Sequence, residues 1–274
     1  MTLSPRHIDE AAEVLASRRV SGQQGPRLPD ACRPTDLASA LAIQAAVLAR
    51  LGDAVGAWKC GSPAPGRVVV APILASTVHH AGLEGSGTDC PVWARKGHAR
   101  VEPELAFVLG RDLPPREAPY TADDVLAAVA SAHLALELID SRYADRGGVS
   151  FEENLADGLV NQGLLLGPAV ELAKARHAAM LRITIRQGID GELLSKHDGR
   201  HPDGAPCDPL VWLANHLRTA GDGLRAGQAV ITGSYAGSFE LPLDQVLAID
   251  YAEAQALGGH ELGRMVCRFA PKRA

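Results

Sequence analysis

Apolar positions in the first fifty residues recur at helical spacing. Ile8, Ala11, Ala12 and Leu15 fall at intervals of three and four, behind Ser4 and Pro5, an N-cap followed by proline at the first helical position. Leu37, Ala40, Leu41, Val47 and Leu48 predict a second helix from about Thr35 to Gly52. A Gly- and Pro-bearing linker, Ser21 to Pro34, separates the two. After residue 53 the pattern changes to short apolar runs between Gly and Pro: Val68-Val69-Val70, Ala106-Phe107-Val108-Leu109, Leu164-Leu165-Leu166, Ile183-Thr184-Ile185 and Val230-Ile231-Thr232. Asp190-Gly191 between two such runs marks a hairpin. Two helices interrupt the strands. One starts at Thr121, with Asp124 completing a capping box, and runs to about Ala132. The other starts at Asp208-Pro209 and ends before Gly221. This pattern predicts an α+β protein, with an N-terminal helical region at 1–53 and a strand-rich body at 54–274.

Composition narrows the partners. The chain has 274 residues, 46% of them hydrophobic and 22% charged, the balance of a globular protein. A formal charge of -5 gives no basic footprint for nucleic acid, and 4% aromatics leave little to stack on bases. Cys32, Cys60, Cys90, Cys207 and Cys267 form no C-x-x-C pair, which fits reduced thiols in the cytoplasm. No apolar run reaches membrane-spanning length, and the charged N-terminus lacks the apolar segment of a signal peptide.

Three carboxylates are out of place in this pattern. Glu102 and Glu104 interrupt the run Val101 to Phe107, and Glu137 interrupts His133 to Asp140. On a strand, residues i and i+2 share a face, so Glu102 and Glu104 project together. Glu137 shares its face with Ala135 and Ile139, which predicts an inward direction. Two readings stand: a hard divalent cation held by the three, or ion pairs with Arg95, Lys96 or Arg100. A further candidate is Lys59 in Gly56-Ala57-Trp58-Lys59-Cys60-Gly61, read as a turn, where a lysine either loses basicity in an apolar pocket or holds a substrate anion.

Trp58-Lys59-Cys60-Gly61, the Glu102-Pro103-Glu104 pair, Ala135 to Arg142, Val211 to Asn215 and Thr232-Gly233-Ser234 occur in this order. Together they resemble the fumarylacetoacetate hydrolase superfamily, in particular its 2-keto-4-pentenoate hydratase and 4-oxalocrotonate decarboxylase branch. The resemblance implies a mixed β roll with an N-terminal helical region and homo-oligomeric assembly. It implies Mg²⁺ or Mn²⁺ on Glu102, Glu104 and Glu137, with Lys59 as the catalytic or substrate-orienting residue. The substrate would be a short 2-oxo acid, and the leading expectation is a hydratase that adds water to 2-hydroxypenta-2,4-dienoate. A 2-oxo-acid decarboxylase or acylpyruvate-type C–C hydrolase on the same scaffold, or a weakly active partner subunit, are the alternatives. All three reactions pass charge to an enolate that a metal stabilises.

The sequence departs from that pattern where specificity is set. Hydratases of the branch carry an Asp after the lysine motif, but no Asp lies between Asp53 and Asp89 here. Asn161 and Gln162 replace a serine-rich stretch. Asn161 is a candidate substrate contact or a turn residue, and Ser234 a candidate for the substrate carboxylate or a strand-end turn. His79 and His80, near Glu84, are expected in a solvated loop. Lys196 to Asp203, with His197 and His201, is expected to be a mobile polar loop or a lid. Arg142 is expected to pair with Asp140 or to steady a metal ligand.

Overall fold

The computed structural model describes residues 2–81, 89–254 and 258–273. Helix α1 (Pro5–Ser21) begins where the Ser4 hydroxyl accepts from the His7 amide and stops at the left-handed Gly22. Helix α2 (Leu37–Leu51) starts two residues later than the periodicity suggests, because Asp36 is its cap and accepts from the Ser39 amide. Ala11, Ala12 and Leu15 pack on Ala40, Ile43 and Val47, with Tyr143, Leu155 and Ala156 completing a small separate core.

Thirteen strands are defined among the described residues: β1 (Val55–Ala64), β2 (Arg67–Leu74), β3 (Val78–His80), β4 (Asp89–Val92), β5 (His98–Leu109), β6 (Val129–Ile139), β7 (Asn161–Val170), β8 (Met180–Gln187), β9 (Leu193–Arg200), β10 (Ala229–Ile231), β11 (Phe239–Pro242), β12 (Val246–Glu253) and β13 (Glu261–Pro271). One mixed sheet runs β2-β1-β10-β5-β6-β7-β3, with β11 beside β5; the second runs β4-β13-β12-β8-β9. The first sheet curls so that β2 meets β7. Its inner face carries Ala57, Ile73, Ala106, Ala135, Leu164 and Ile231. Its outer face carries Trp58, Phe107, Leu134 and Leu136, which pack in one core with Ile183, Ile185, Leu247 and Ile249 of the second sheet. This is the mixed α+β roll that the resemblance implies.

Several local expectations change. The helix at Thr121 keeps its capping box but is only α3 (Ala122–Leu126). Alternation in Val129 to Ile139 then takes the chain into β6, where cross-strand pairing outweighs helical propensity. The Asp190-Gly191 hairpin is real, with Gly188 to Glu192 as its loop. Lys59 lies in mid-strand on β1, paired with Ala71 and Ile231, rather than in a turn. Lys196 to Arg200 belongs to β9, since pairing with β8 supplies its backbone hydrogen bonds. His79 and His80 sit on the edge strand β3, paired parallel to β7. Glu84 and most of the loop expected from Ala81 lie outside the described residues. Helix α4 (Phe151–Ala156) was missed, although Ser150 and Glu153 form the capping box that signals it. Helices α5 (Leu172–His177) and α6 (Asp208–Thr219) complete the body. No helix among the described residues is long and apolar enough to cross a membrane.

Candidate metal centre and cleft

The register of the first sheet brings the charged residues together. Glu102 and Glu104 share the inner face of β5, and Glu102 stands directly opposite Glu137 of β6. Lys59 aligns with Ile231 of β10, which aligns with Ala106, two residues from Glu104 on the same face. One oxygen from each glutamate lies within 4.8 Å of the others. Glu104 is 2% exposed and Glu137 0%, so water screens neither.

Like charges set opposite each other on a sheet repel, and burial strengthens the repulsion. Burial, then the charge of Glu137, pushes the Glu102 carboxyl up to about 7. Burial, then Glu137 and Glu102, pushes Glu104 well above the usual carboxylate range. One ammonium answers the three: Lys59 Nζ lies 2.7 Å from Glu137 Oε1 and 2.8 Å from Oε2. Burial works against the lysine's charge, but Glu137 and Glu102 outweigh it and raise its pKa. Lys59 is therefore a cation in this arrangement, not a lysine of reduced basicity. Three carboxylates against one ammonium cannot all ionise there without a further cation, and every other donor is an oxygen. A divalent metal fits that donor set.

Supporting contacts fix the glutamates. Asn161 is buried and donates from Nδ2 to Glu137 Oε1 at 2.9 Å and to the Gly163 carbonyl at 3.1 Å. Its Oδ1 has no hydrogen-bond partner among the described residues. The Gly233 amide donates to Glu104 Oε2 at 2.7 Å. Only glycine suits this position: φ is +141° and a Cβ would lie 2.6 Å from Pro202 Cγ. Lys59 Nζ also donates to the Leu159 carbonyl at 3.3 Å. That carbonyl belongs to a left-handed run, Gly158, Leu159 and Val160, with φ of 70°, 52° and 60°. Left-handed backbone costs about 1–3 kcal/mol at a non-glycine residue, most at a β-branched one such as Val160. The run persists because its carbonyls are used: Val160 O accepts from Asp140 N at 2.9 Å and Gly158 O from Asn161 N at 3.1 Å.

The site opens into a cleft of ≈ 540 Å³ whose walls include Lys59, Val69, Glu102, Glu104, Asp203 and Ser234. Ser234 Oγ donates to the Gly237 carbonyl at 3.0 Å, which closes a turn at the rim. The stretch after the lysine motif contributes Ser62 and Val69, neither of them an acid or a base.

Other expected pairings resolve differently. Arg95 pairs with Asp140, not with a glutamate of the triad. Arg142 pairs with the buried Asp157 instead of Asp140, because it runs beneath the α4 turn. Gln162 is spent on backbone: its Oε1 accepts from Trp93 N, and its Nε2 donates to Trp93 O and Ile139 O. His197 stacks on Phe239, while His201 is buried beside Thr232. Asp203, expected in a mobile polar loop, is instead fixed in the cleft wall. It sits about 140 positions from Ser62, which it contacts, and the sequence signal of its segment was two histidines and two aspartates with no indication of a partner.

Residues 52–270 match the family model described as fumarylacetoacetate (FAA) hydrolase, C-terminal. The chain is 29% identical over 238 residues to a 2-keto-4-pentenoate hydratase of Paraburkholderia phymatum, covering 83% of this chain and 87% of that one. It is 34% identical over 150 residues to a 2-keto-4-pentenoate hydratase of Burkholderia vietnamiensis, spanning about half of each, 55%. Among solved structures it is similar to a 4-oxalocrotonate decarboxylase from Pseudomonas putida G7, complexed with magnesium and adipate. That match has a TM-score of 0.72 at 18% identity and covers 98% of this chain and 99% of that one, a likeness of fold.

Proposed function

This chain belongs to the fumarylacetoacetate hydrolase family, and from that premise we propose that it is a Mg²⁺- or Mn²⁺-dependent hydratase of a short 2-oxo acid. The carrying observation is the buried triad of Glu102, Glu104 and Glu137, with ligand oxygens within 4.8 Å and one lysine among them. Hydratase names among the relatives support the reaction type, and the magnesium in the P. putida fold relative supports the metal class.

A divalent cation held by the three glutamates supplies a Lewis acid for the charge that gathers on an enolised 2-oxo acid. The chain's own residues do the rest. Lys59 presents an ammonium to the substrate carboxylate while Glu137 keeps it charged. Asn161 and the Gly233 amide hold two of the three carboxylates in place. Ser234 lines the same cleft and closes the turn at its rim. The alanine-lined inner face keeps water from the buried side of the site.

The cleft also bears on substrate charge. Lys59 is the one cation on its wall among the described residues. A monocarboxylate such as 2-hydroxypenta-2,4-dienoate suits it better than a dicarboxylate, whose second charge would find no partner. We also read the protein as homo-oligomeric. Ile189, Leu193 and Leu194, exposed on the β8–β9 hairpin, are apolar surface that a second copy would cover.

Purified protein with Mg²⁺ is expected to consume 2-hydroxypenta-2,4-dienoate, read as loss of its ultraviolet absorbance, and Glu104→Ala to abolish this. Full activity of Glu104→Ala in EDTA would sink the reading. Turnover of acetylpyruvate or oxalocrotonate in place of the dienoate would move the protein to the hydrolase or decarboxylase alternative.

A further inference from the structure

Adding water across a double bond needs a proton acceptor beside the carbon that receives the oxygen. Five titratable side chains line the cleft: Lys59, Cys60, Glu102, Glu104 and Asp203. Glu102 and Glu104 belong to the acidic triad, and Lys59 is held as a cation by Glu137. The Cys60 thiol is pushed well above its usual range, first of all by burial. Asp203 is what remains.

The structure places Asp203 with care. It rides on the segment between β9 and α6, fixed by His201, which is 1% exposed. His201 Nδ1 accepts from the Asp203 amide at 3.2 Å, so the ring proton sits on Nε2, facing Thr232 Oγ1 at 3.3 Å. Pro202, between them, packs on Gly233. The Asp203 carboxylate then docks on β1, where Oδ2 accepts from the Ser62 amide at 3.0 Å. Its other oxygen takes no hydrogen bond from a described residue. Ser62 lies three residues beyond Lys59, about 10 Å along the strand. Lys59 and the Asp203 carboxylate thus line one cleft from separate points of β1, with room between them for a short 2-oxo acid held at Lys59.

We propose that Asp203 is the general base of the hydration, an inference that rests on the hydratase reading above. In 2-oxopent-3-enoate, the ketonised substrate, water beside C4 gives a proton to the Asp203 carboxylate as its oxygen bonds to C4. The C3=C4 pair moves to C2–C3, and the carbonyl pair moves to oxygen. C3 then takes up a proton, the carbonyl re-forms, and Asp203 releases its proton to solvent. The product is the 4-hydroxy-2-oxo acid, one water heavier than the substrate.

The test compares wild type with Asp203→Asn in Mg²⁺ by two readouts. One is hydration of 2-hydroxypenta-2,4-dienoate. The other is deuterium uptake at C3 of 2-oxopentanoate in D₂O, followed by NMR, which needs the acidic triad but no attacking water. Hydration is expected to fall 100-fold or more, with exchange within about threefold of wild type. Formate is expected to restore part of the hydration lost in Asp203→Ala, which repair of a merely structural defect would not do. Hydration by Asp203→Asn within about threefold of wild type, or equal loss of exchange and hydration, would overturn the assignment. Wild-type protein that neither hydrates nor exchanges would instead defeat the hydratase reading itself.

Discussion

Replacing Glu102 by glutamine should stabilise the metal-free protein at pH 8 and leave it nearly unchanged at pH 5. Burial and the facing Glu137 raise the Glu102 carboxyl from 4.5 to about 7 in the folded chain. A raised carboxyl favours folding while it is protonated. That contribution is complete below pH 4.5 and is lost as the pH climbs through 7. The span of about 2.5 pH units corresponds to about 3 kcal/mol, trimmed to about 2–3 kcal/mol by the carboxylate's partial exposure. At pH 5 the wild-type group is mostly protonated and shares a hydrogen bond with Glu137, which a glutamine amide can also donate to. At pH 8 the wild type must hold an ionised carboxylate opposite Glu137, and the variant escapes this. For a chain of this size the difference amounts to about 5 °C in Tm. The assay is thermal unfolding of both proteins in EDTA from pH 5 to 8. A variant equal to or less stable than wild type at pH 8 would refute the reasoning. Saturating Mg²⁺ should then narrow the gap, because about 100-fold excess over Kd stabilises the wild type by about 2.7 kcal/mol and the weakened triad by less.

Lys59→Met removes the one cation touching Glu137 and leaves that buried carboxylate with Asn161 alone. Urea unfolding in EDTA at pH 8 should show a loss of about 3–5 kcal/mol, and a loss below about 1 kcal/mol would mean the pair is not buried as described. Gly233→Ala places a Cβ against Pro202 at a φ no alanine favours, and disturbs the amide that holds Glu104. Calorimetric titration with Mg²⁺ should show affinity weakened about 10- to 100-fold. Gly66→Ala, at φ +70° with nothing within 4 Å of the added Cβ, is the control that should keep wild-type affinity.

Much of this arrangement was legible in the chain because it is periodic. The two-residue step from Glu102 to Glu104 and the shared face of Ala135 and Glu137 follow from strand geometry alone. What the pattern could not give was register. That Glu102 faces Glu137, and that β10 carries Lys59 to within reach of both, depends on pairings across tens of residues. Glycines at 56 and 61 flank Lys59 and make its segment read locally as a turn. Both serve instead as close-approach positions on a paired strand, with Ala75 Cα 2.7 Å from the Cβ that Gly56 lacks. Asp203 was hidden for the same reason: nothing local to His201-Pro202-Asp203 says that it will dock on Ser62.

The left-handed turn at Gly158, Leu159 and Val160 joins two parts of the molecule into one lever. On its upstream side the helical layer grips α4: Gln44 Nε2 donates to Leu155 O at 2.8 Å, and Arg19 Nη2 to Asp157 O at 3.1 Å. The turn itself offers the Leu159 carbonyl to Lys59, and the next residue, Asn161, holds Glu137. The helical layer and the charged centre thus meet through one short segment of chain, residues 155–161. A substitution at Gln44, which removes the contact with Leu155 O, is therefore expected to lower turnover at temperatures where the fold is still intact, read as kcat against thermal unfolding.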